Sequence, residues 1–167
     1  MADNPKQEFA RLDEWARSLL QSFSPRERKN LLARMGRELR RTNKKRLTRQ
    51  TAPDGTPWPE RKPQPSPKGE KRKRAKMFLG LRKNRHMQLR VTTNTLELGF
   101  SGRTGQIARI HHQGLRERLK TRQRGKPGPL VKFAARQLIG LSENDRHMLN
   151  DLLIDHVEAA GNKGTST

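Results

Sequence analysis

Residues 89–100 read LRVTTNTLELGF. Leu89, Val91 and Thr93 alternate with polar residues up to Asn94, and Leu96, Leu98 and Phe100 resume the alternation beyond it. Successive side chains of a strand point to opposite faces, so a period of two on both sides of an asparagine turn predicts a β-hairpin with one apolar face. Met77, Phe78, Leu79 and Leu81 form a short apolar patch just ahead of it. A hairpin alone is too small to hold a core, and the flanking segments supply helices to cover it.

Toward the N-terminus, Ser24-Pro25-Arg26-Glu27 is a capping box with proline at the first helical position. Leu31, Leu32, Met35, Leu39 and Leu47 then form an apolar stripe, which predicts a helix from Pro25 to about Arg49. Asn4-Pro5-Lys6-Gln7 gives the same kind of start to an earlier helix ending near Ser22, with Phe9, Leu12, Ala16, Leu19, Leu20 and Phe23 on one side. The pair reads as a helical hairpin. Between it and the β-hairpin, six of the fifteen residues from Pro53 to Pro67 are proline, and proline neither continues a helix nor donates to a sheet ladder. With Lys68–Lys76 this makes a Pro-, Lys- and Arg-rich loop over about 51–76 whose composition predicts disorder, or order only on assembly. Trp58 stands out in it, either as an anchor of the loop on its own domain or as an interface anchor.

Toward the C-terminus, Thr104 is placed to cap a short helix through Ile107, Ile110 and His111, with Gly114 as its stop. Residues 115–129 (LRERLKTRQRGKPGP) read as a basic loop or flexible hairpin, and Leu130–Ile139 as a further strand or a turn-rich connection. Ser142-Glu143-Asn144-Asp145 caps a last helix whose apolar side carries Met148, Leu149, Leu152, Leu153 and Val157. The tail from Gly161 to Thr167 is expected to be disordered. The class is α+β: one domain over 1–160, with an N-terminal helical hairpin, a small antiparallel sheet and a C-terminal helix.

Composition limits the function. Lys and Arg number 38 against 16 Asp and Glu, a net charge of +22 over 167 residues. The charge is concentrated, +9 over 25–50, +11 over 61–90 and +8 over 109–136. Polyanions or acidic protein surfaces are the expected neighbours. Leu, Ile, Val and Phe supply only 32 residues, so the core is small or shared with another copy. No apolar run approaches the ~18 residues of a membrane span, and no signal peptide is legible, so a soluble protein made in a cytoplasm is expected. Cysteine is absent, and the five histidines have no metal-binding spacing. His111-His112 is the one tempting pair, but neighbours on a helix project about 100° apart, which favours a structural role. Gly99, Gly102 and Gly105 match no phosphate-binding loop. No catalytic residue, metal site or cofactor is read from this chain. The runner-up function is sequence-independent nucleic-acid binding, electrostatic in kind, because aromatic residues do not interleave with the basic block.

A set of motifs runs in order along nearly the whole chain. After the paired helices come Gln50 with Pro53-Asp54-Gly55-Thr56-Pro57-Trp58, Arg61-Lys62-Pro63, Met77-Phe78, Ala108-Arg109-Ile110-His111-His112-Gln113-Gly114, and Ala135-Arg136-Gln137-Leu138-Ile139-Gly140-Leu141-Ser142. In these the chain resembles the phage virion morphogenesis family, the tail completion proteins of contractile-tailed temperate phages. It departs from the family at Ala134-Ala135-Arg136-Gln137, where a Pro-Ala-Arg-Pro type of segment is frequent. The resemblance implies a structural protein that terminates the tail at its head-proximal end and permits head–tail joining. By analogy with tail-end proteins it implies a ring, a hexamer if it matches the tail tube. The implied partners are other copies of the chain, the tail tube or other tail-end proteins, neck or head-closure proteins, and genomic DNA through electrostatics; no membrane is involved. It is expected in the host cytoplasm during assembly and then in the virion. Assembly contacts are expected at Trp58, Arg61, Lys62, Met77, Phe78, His111 and Arg136. Contacts with DNA in a lumen, or with an acidic partner, are expected at Lys71, Arg72, Lys73, Arg74, Arg118, Lys120, Arg122 and Arg124.

Overall fold

A computed structural model describes residues 23–60, 76–119 and 127–164. The earlier N-terminal helix read from the sequence, ending near Ser22, lies outside the described residues, as do residues 61–75 of the Pro-rich loop and 120–126 of the second basic loop. What is described is an α+β arrangement of three helices and two small antiparallel sheets.

Helix α1, Pro25–Arg49, forms the spine. Its start is the predicted capping box: Glu27 N donates to Ser24 Oγ at 3.3 Å, and Ser24 N donates to Glu27 Oε2 at 2.9 Å. It stops at Gln50, whose φ of 63° is left-handed and whose N–H reaches back to the Arg46 carbonyl. Its buried face carries Leu31, Gly36, Leu39, Asn43 and Leu47.

Strands β1, Met87–Val91, and β2, Leu96–Phe100, form the predicted hairpin, paired from Met87 with Phe100 to Val91 with Leu96. The first strand ends before Thr93 because Thr92 Oγ1 accepts the N–H groups of Asn94 (3.2 Å) and Thr95 (3.0 Å) and closes the turn early. The hairpin lies against α1 at Gly36, where a Cβ would come within 2.6 Å of the Leu89 and Leu96 methyl carbons. The preceding apolar patch becomes a short 3-10 turn, Leu79–Arg82, with Leu81 buried.

Helix α2, Gly102–Gln113, begins before the expected cap at Thr104. That hydroxyl lies 3.2 Å from His86 Nδ1, and Ser101 occupies the cap position. Gly114 ends the helix as predicted, left-handed at φ 67° and pressed against Ala135, so a side chain there meets both backbone strain and a clash. Strands β3, Arg116–Arg118, and β4, Leu130–Lys132, pair as a second antiparallel hairpin across the basic loop.

Leu130–Ile139, read as a strand or a turn-rich connection, is strand in its first three residues and a connection beyond them. Beyond Lys132 the backbone N–H groups go to other elements: Arg136 N to the His111 carbonyl (2.7 Å), Leu138 N to His112 Nδ1 (3.2 Å) and Gly140 N to Asn43 Oδ1 (3.1 Å). Groups held by helices are not available to a ladder. Helix α3, Glu143–Gly164, closes the domain and passes Gly161, where the sequence reading places the start of a tail. The core gathers Leu47, Ala52, Trp58, Leu81, Met87, Ala108 and Leu138, with Phe78, Leu98, Phe100 and Ile139 packed on it.

Candidate functional site

The C-terminal end of α1 organises the loop that follows it. The Gln50 side chain, freed by the left-handed cap, pairs with the backbone of Met77: Nε2 donates to the Met77 carbonyl at 2.8 Å and Oε1 accepts the Met77 N–H at 2.7 Å. The carboxamide thus fixes Met77, at the far end of the loop, to the cap of α1. Trp58 N donates to the Gln50 carbonyl at 2.8 Å, and within the turn Asp54 Oδ1 accepts the N–H (2.9 Å) and hydroxyl (2.7 Å) of Thr56. Those bonds from Thr56 hold the Asp54 carboxyl below its ordinary pKa.

This turn seats Trp58 in the core at 6% exposure, with Nε1 buried and without a hydrogen-bond partner among the described residues. Of the two sequence readings of Trp58, the anchor on its own domain is the one the fold displays. Its ring is turned inward and belongs to the core. From Trp58 a line of rings continues in edge-on contacts: Phe78 at 6.0 Å, His111 4.7 Å further and Phe133 4.8 Å beyond that. Burial and then the nearby Arg136 charge lower the His111 pKa, so the imidazole is neutral at physiological pH. Its Nδ1 is buried and unpartnered among the described residues.

Arg136 fastens this region. It is 7% exposed, and its guanidinium donates to the carbonyls of Pro59 (Nε, 2.9 Å), Glu60 (Nη2, 3.1 Å) and Ala134 (Nη1, 3.3 Å). Burial pulls its pKa down from the usual arginine value. A planar fork suits this task, since one side chain ties the Trp58 loop to the segment after β4. Between these pieces lies a cleft of about 520 Å³, with Met77, Phe78, His111, Val131, Phe133 and Arg136 among its lining.

Behind it, a polar knot joins α1 to the start of α3. Asn43, almost fully buried, donates to the Leu39 carbonyl (2.8 Å) and accepts the Gly140 N–H. Arg46 donates to Asp145 Oδ2 (2.7 Å) and to the Gly140 carbonyl (2.8 Å). Asp145 and Ser142 cap α3 reciprocally, Ser142 N donating to Asp145 Oδ2 (2.9 Å) and Asp145 N to Ser142 Oγ (3.1 Å). Burial alone raises the Asp145 pKa, but hydrogen bonds from Ser142, Thr42 and Arg46 outweigh it and hold the carboxyl below its ordinary value.

The structure therefore brings four of the expected assembly residues, Met77, Phe78, His111 and Arg136, around one cleft, with Trp58 buried in the core in ring contact with Phe78. Arg61 and Lys62 lie outside the described residues, as do Lys71, Arg72, Lys73, Arg74, Lys120, Arg122 and Arg124. Arg118 is exposed on β3 and donates to the Gly128 carbonyl at 3.3 Å. Sequence reasoning missed Phe133 and the roles of Gln50, Asn43, Arg46 and Asp145 in holding the region together. Asn43 did leave a signal, as a polar residue between Leu39 and Leu47 on an otherwise apolar stripe. Among the described residues no group of three or more His, Asp or Glu is placed to hold a metal ion, and no helix is long and apolar enough to cross a membrane. The arrangement has the means of recognition by shape, apolar contact and hydrogen bonding.

Comparison with known proteins identifies relatives over most of the chain. The profile of the phage virion morphogenesis family matches residues 7–158. The tail completion protein S of Escherichia phage P2 is 32% identical over 152 residues, which make up 90% of this chain and 98% of that protein. No solved structure matches.

Proposed function

The chain belongs to the phage virion morphogenesis family, and from that membership we propose that it is a structural, non-catalytic tail completion protein. It ends the tail at its head-proximal end and makes that end competent to join a DNA-filled head. The observation that carries this reading is the end-to-end match to the P2 tail completion protein S.

In this reading the protein works as a ring of copies, a hexamer if it follows the tail tube, and it contacts tail-tube and neck proteins. The fold supports such assembly. Each described sheet has only two strands, so each leaves its outer edges unpaired by the other sheet. Leu115, Leu119 and Leu130 stand exposed on the β3–β4 hairpin. Copies packed side by side would cover both features. The protein assembles in the host cytoplasm and remains in the virion.

The test is a phage from which the gene is deleted, viewed by electron microscopy after lysis. Filled heads and unjoined tails are expected to accumulate, and supplying the protein in trans is expected to restore whole particles. Joined particles with tails of normal length in the deletant would refute the reading.

A further inference from the structure

Among the described residues, one face of α1 packs against no other element. Gly36, Leu39, Asn43 and Leu47 point into the protein, and on the other side Arg37, Arg41, Lys45 and Arg49 are exposed at four-residue spacing. Four-residue steps keep side chains on one face, and the twelve-residue span covers roughly 18 Å at 1.5 Å per residue. About five phosphates of one DNA strand fall within that distance at 3.4 Å per nucleotide. The cations are firmly presented: Asn43 and Arg46 bolt the helix to the α3 start, and Gly36 lets the β1–β2 hairpin press on its inner side.

We infer that this outward face of α1 is a docking surface for the phosphate backbone of duplex DNA, with Arg37, Arg41, Lys45 and Arg49 as its contacts. The charge balance favours this occupant over another copy of the chain. Acidic residues number 16 against 38 basic ones. Several of those acids are engaged within the chain, Glu38 by Arg41, Asp145 by Arg46 and Asp155 by Arg34. A second copy offers exposed carboxylates chiefly along α3, at Glu143, Asp151, Asp155 and Glu158, and of these Glu143 and Asp155 already face Arg146 and Arg34, whereas DNA brings an unbroken row of phosphates. The Arg41–Glu38 pair is exposed and contributes at most about 1 kcal/mol, so it yields to a phosphate. The outward face carries no aromatic residue on which a single strand would stack, and arginine forks suit phosphate oxygens. Without a residue set aimed at base edges, binding is independent of sequence.

The experiment uses the purified full chain and two duplexes of unrelated sequence, titrated between about 50 and about 200 mM salt. The variant carries Arg37→Gln, Arg41→Gln, Lys45→Gln and Arg49→Gln; its control removes equal charge elsewhere through Arg85→Gln, Arg90→Gln, Arg103→Gln and Arg109→Gln. The slope of log affinity against log salt is expected to fall by about 3 to 4 in the first and by less than about 1 in the control, alike for both duplexes. If the fourfold variant fails to fold, the pairs Arg37→Gln with Arg41→Gln and Lys45→Gln with Arg49→Gln are each expected to lower it by about 2. Equal losses in variant and control, or no duplex binding by the unaltered chain, would overturn the inference. An unchanged DNA slope with lost capture by tails would also overturn it, and would assign the face to an acidic protein surface. The duplex titration needs no tail, so its failure is separable from failure of the tail completion reading, on which only the capture assay depends.

Discussion

Arg136 and His111 show how single residues set the behaviour of the cleft. Three carbonyls from two segments meet one guanidinium at Arg136, and a lysine ammonium cannot reach all three. Hydrogen bonds to charged groups contribute about 1.5–3 kcal/mol each, and orphaned carbonyls add a desolvation cost, so Arg136→Lys is expected to lose about 2–4 kcal/mol in denaturant unfolding. For His111 the sign is set by its lowered pKa. The unfolded chain takes up the proton first, near the ordinary value of 6.5, so stability is fully present above that pH and falls as pH drops toward the folded value. Asp145 acts in the same direction at lower pH: its contribution is present above about 3.8 and is lost as pH falls through the depressed folded value. His111→Phe keeps the edge-on contacts with Phe78 and Phe133 and removes an unpartnered buried nitrogen. Melting temperatures across pH 4 to 8 are expected to match or exceed the parent at neutral pH, with a smaller decline between 6.5 and the Asp145 range. An unchanged slope in the variant would show that His111 does not carry the upper step.

At the scale of elements, Gly36 sets the distance between α1 and the β1–β2 hairpin. Alanine raises helix propensity by about 1 kcal/mol, but its Cβ would stand 2.6 Å from the Leu89 and Leu96 methyl carbons. Overpacking of that kind costs about 1–3 kcal/mol, so Gly36→Ala is expected to make a peptide of residues 24–50 more helical and the whole protein less stable by about 1 kcal/mol. Circular dichroism on both would decide it, and a gain in both would place the hairpin further from α1 than the structure does. The same contrast between local and distant causes explains what could be read in advance. Ser24 with Glu27, Gly114, Ser142 with Asp145, and the alternation around Asn94 act within a few residues, and the elements they predict are present. For Leu130–Ile139 the sequence left strand and turn-rich connection both open, because the groups that hold its later part and Gly140, namely His111, His112 and Asn43, are far away in sequence. The Gln50 clamp on Met77 was illegible for the same reason, since nothing near Gln50 announces its partner. Trp58, Met77, Phe78, His111 and Arg136 stand out in the sequence because motifs mark them, but the cleft lined by the last four was not visible, since its walls come from segments far apart in the chain.

For the whole molecule the deciding quantity is the small core. Trp58 belongs to it, so Trp58→Ala is expected to lose about 3–5 kcal/mol and to act on assembly through folding and not through a lost surface contact. A domain of this size normally holds about 5–15 kcal/mol in total, so one such change brings it close to unfolding. Exposed leucines pull in the other direction, since Leu119 at 43% and Leu130 at 55% exposure contribute little to the isolated chain but would be covered between copies. If copies associate through this hairpin, association draws the folding equilibrium with it by mass action, and the melting temperature of the parent protein rises with protein concentration. Leu119→Gln with Leu130→Gln is expected to leave the melting temperature of dilute protein unchanged and to abolish its rise with concentration, while light scattering shows the ring-sized species reduced to monomer. Should the double variant keep both the ring mass and the concentration dependence, the β3–β4 hairpin is not the contact, and the unpaired edges of the β1–β2 sheet become the next surface to alter.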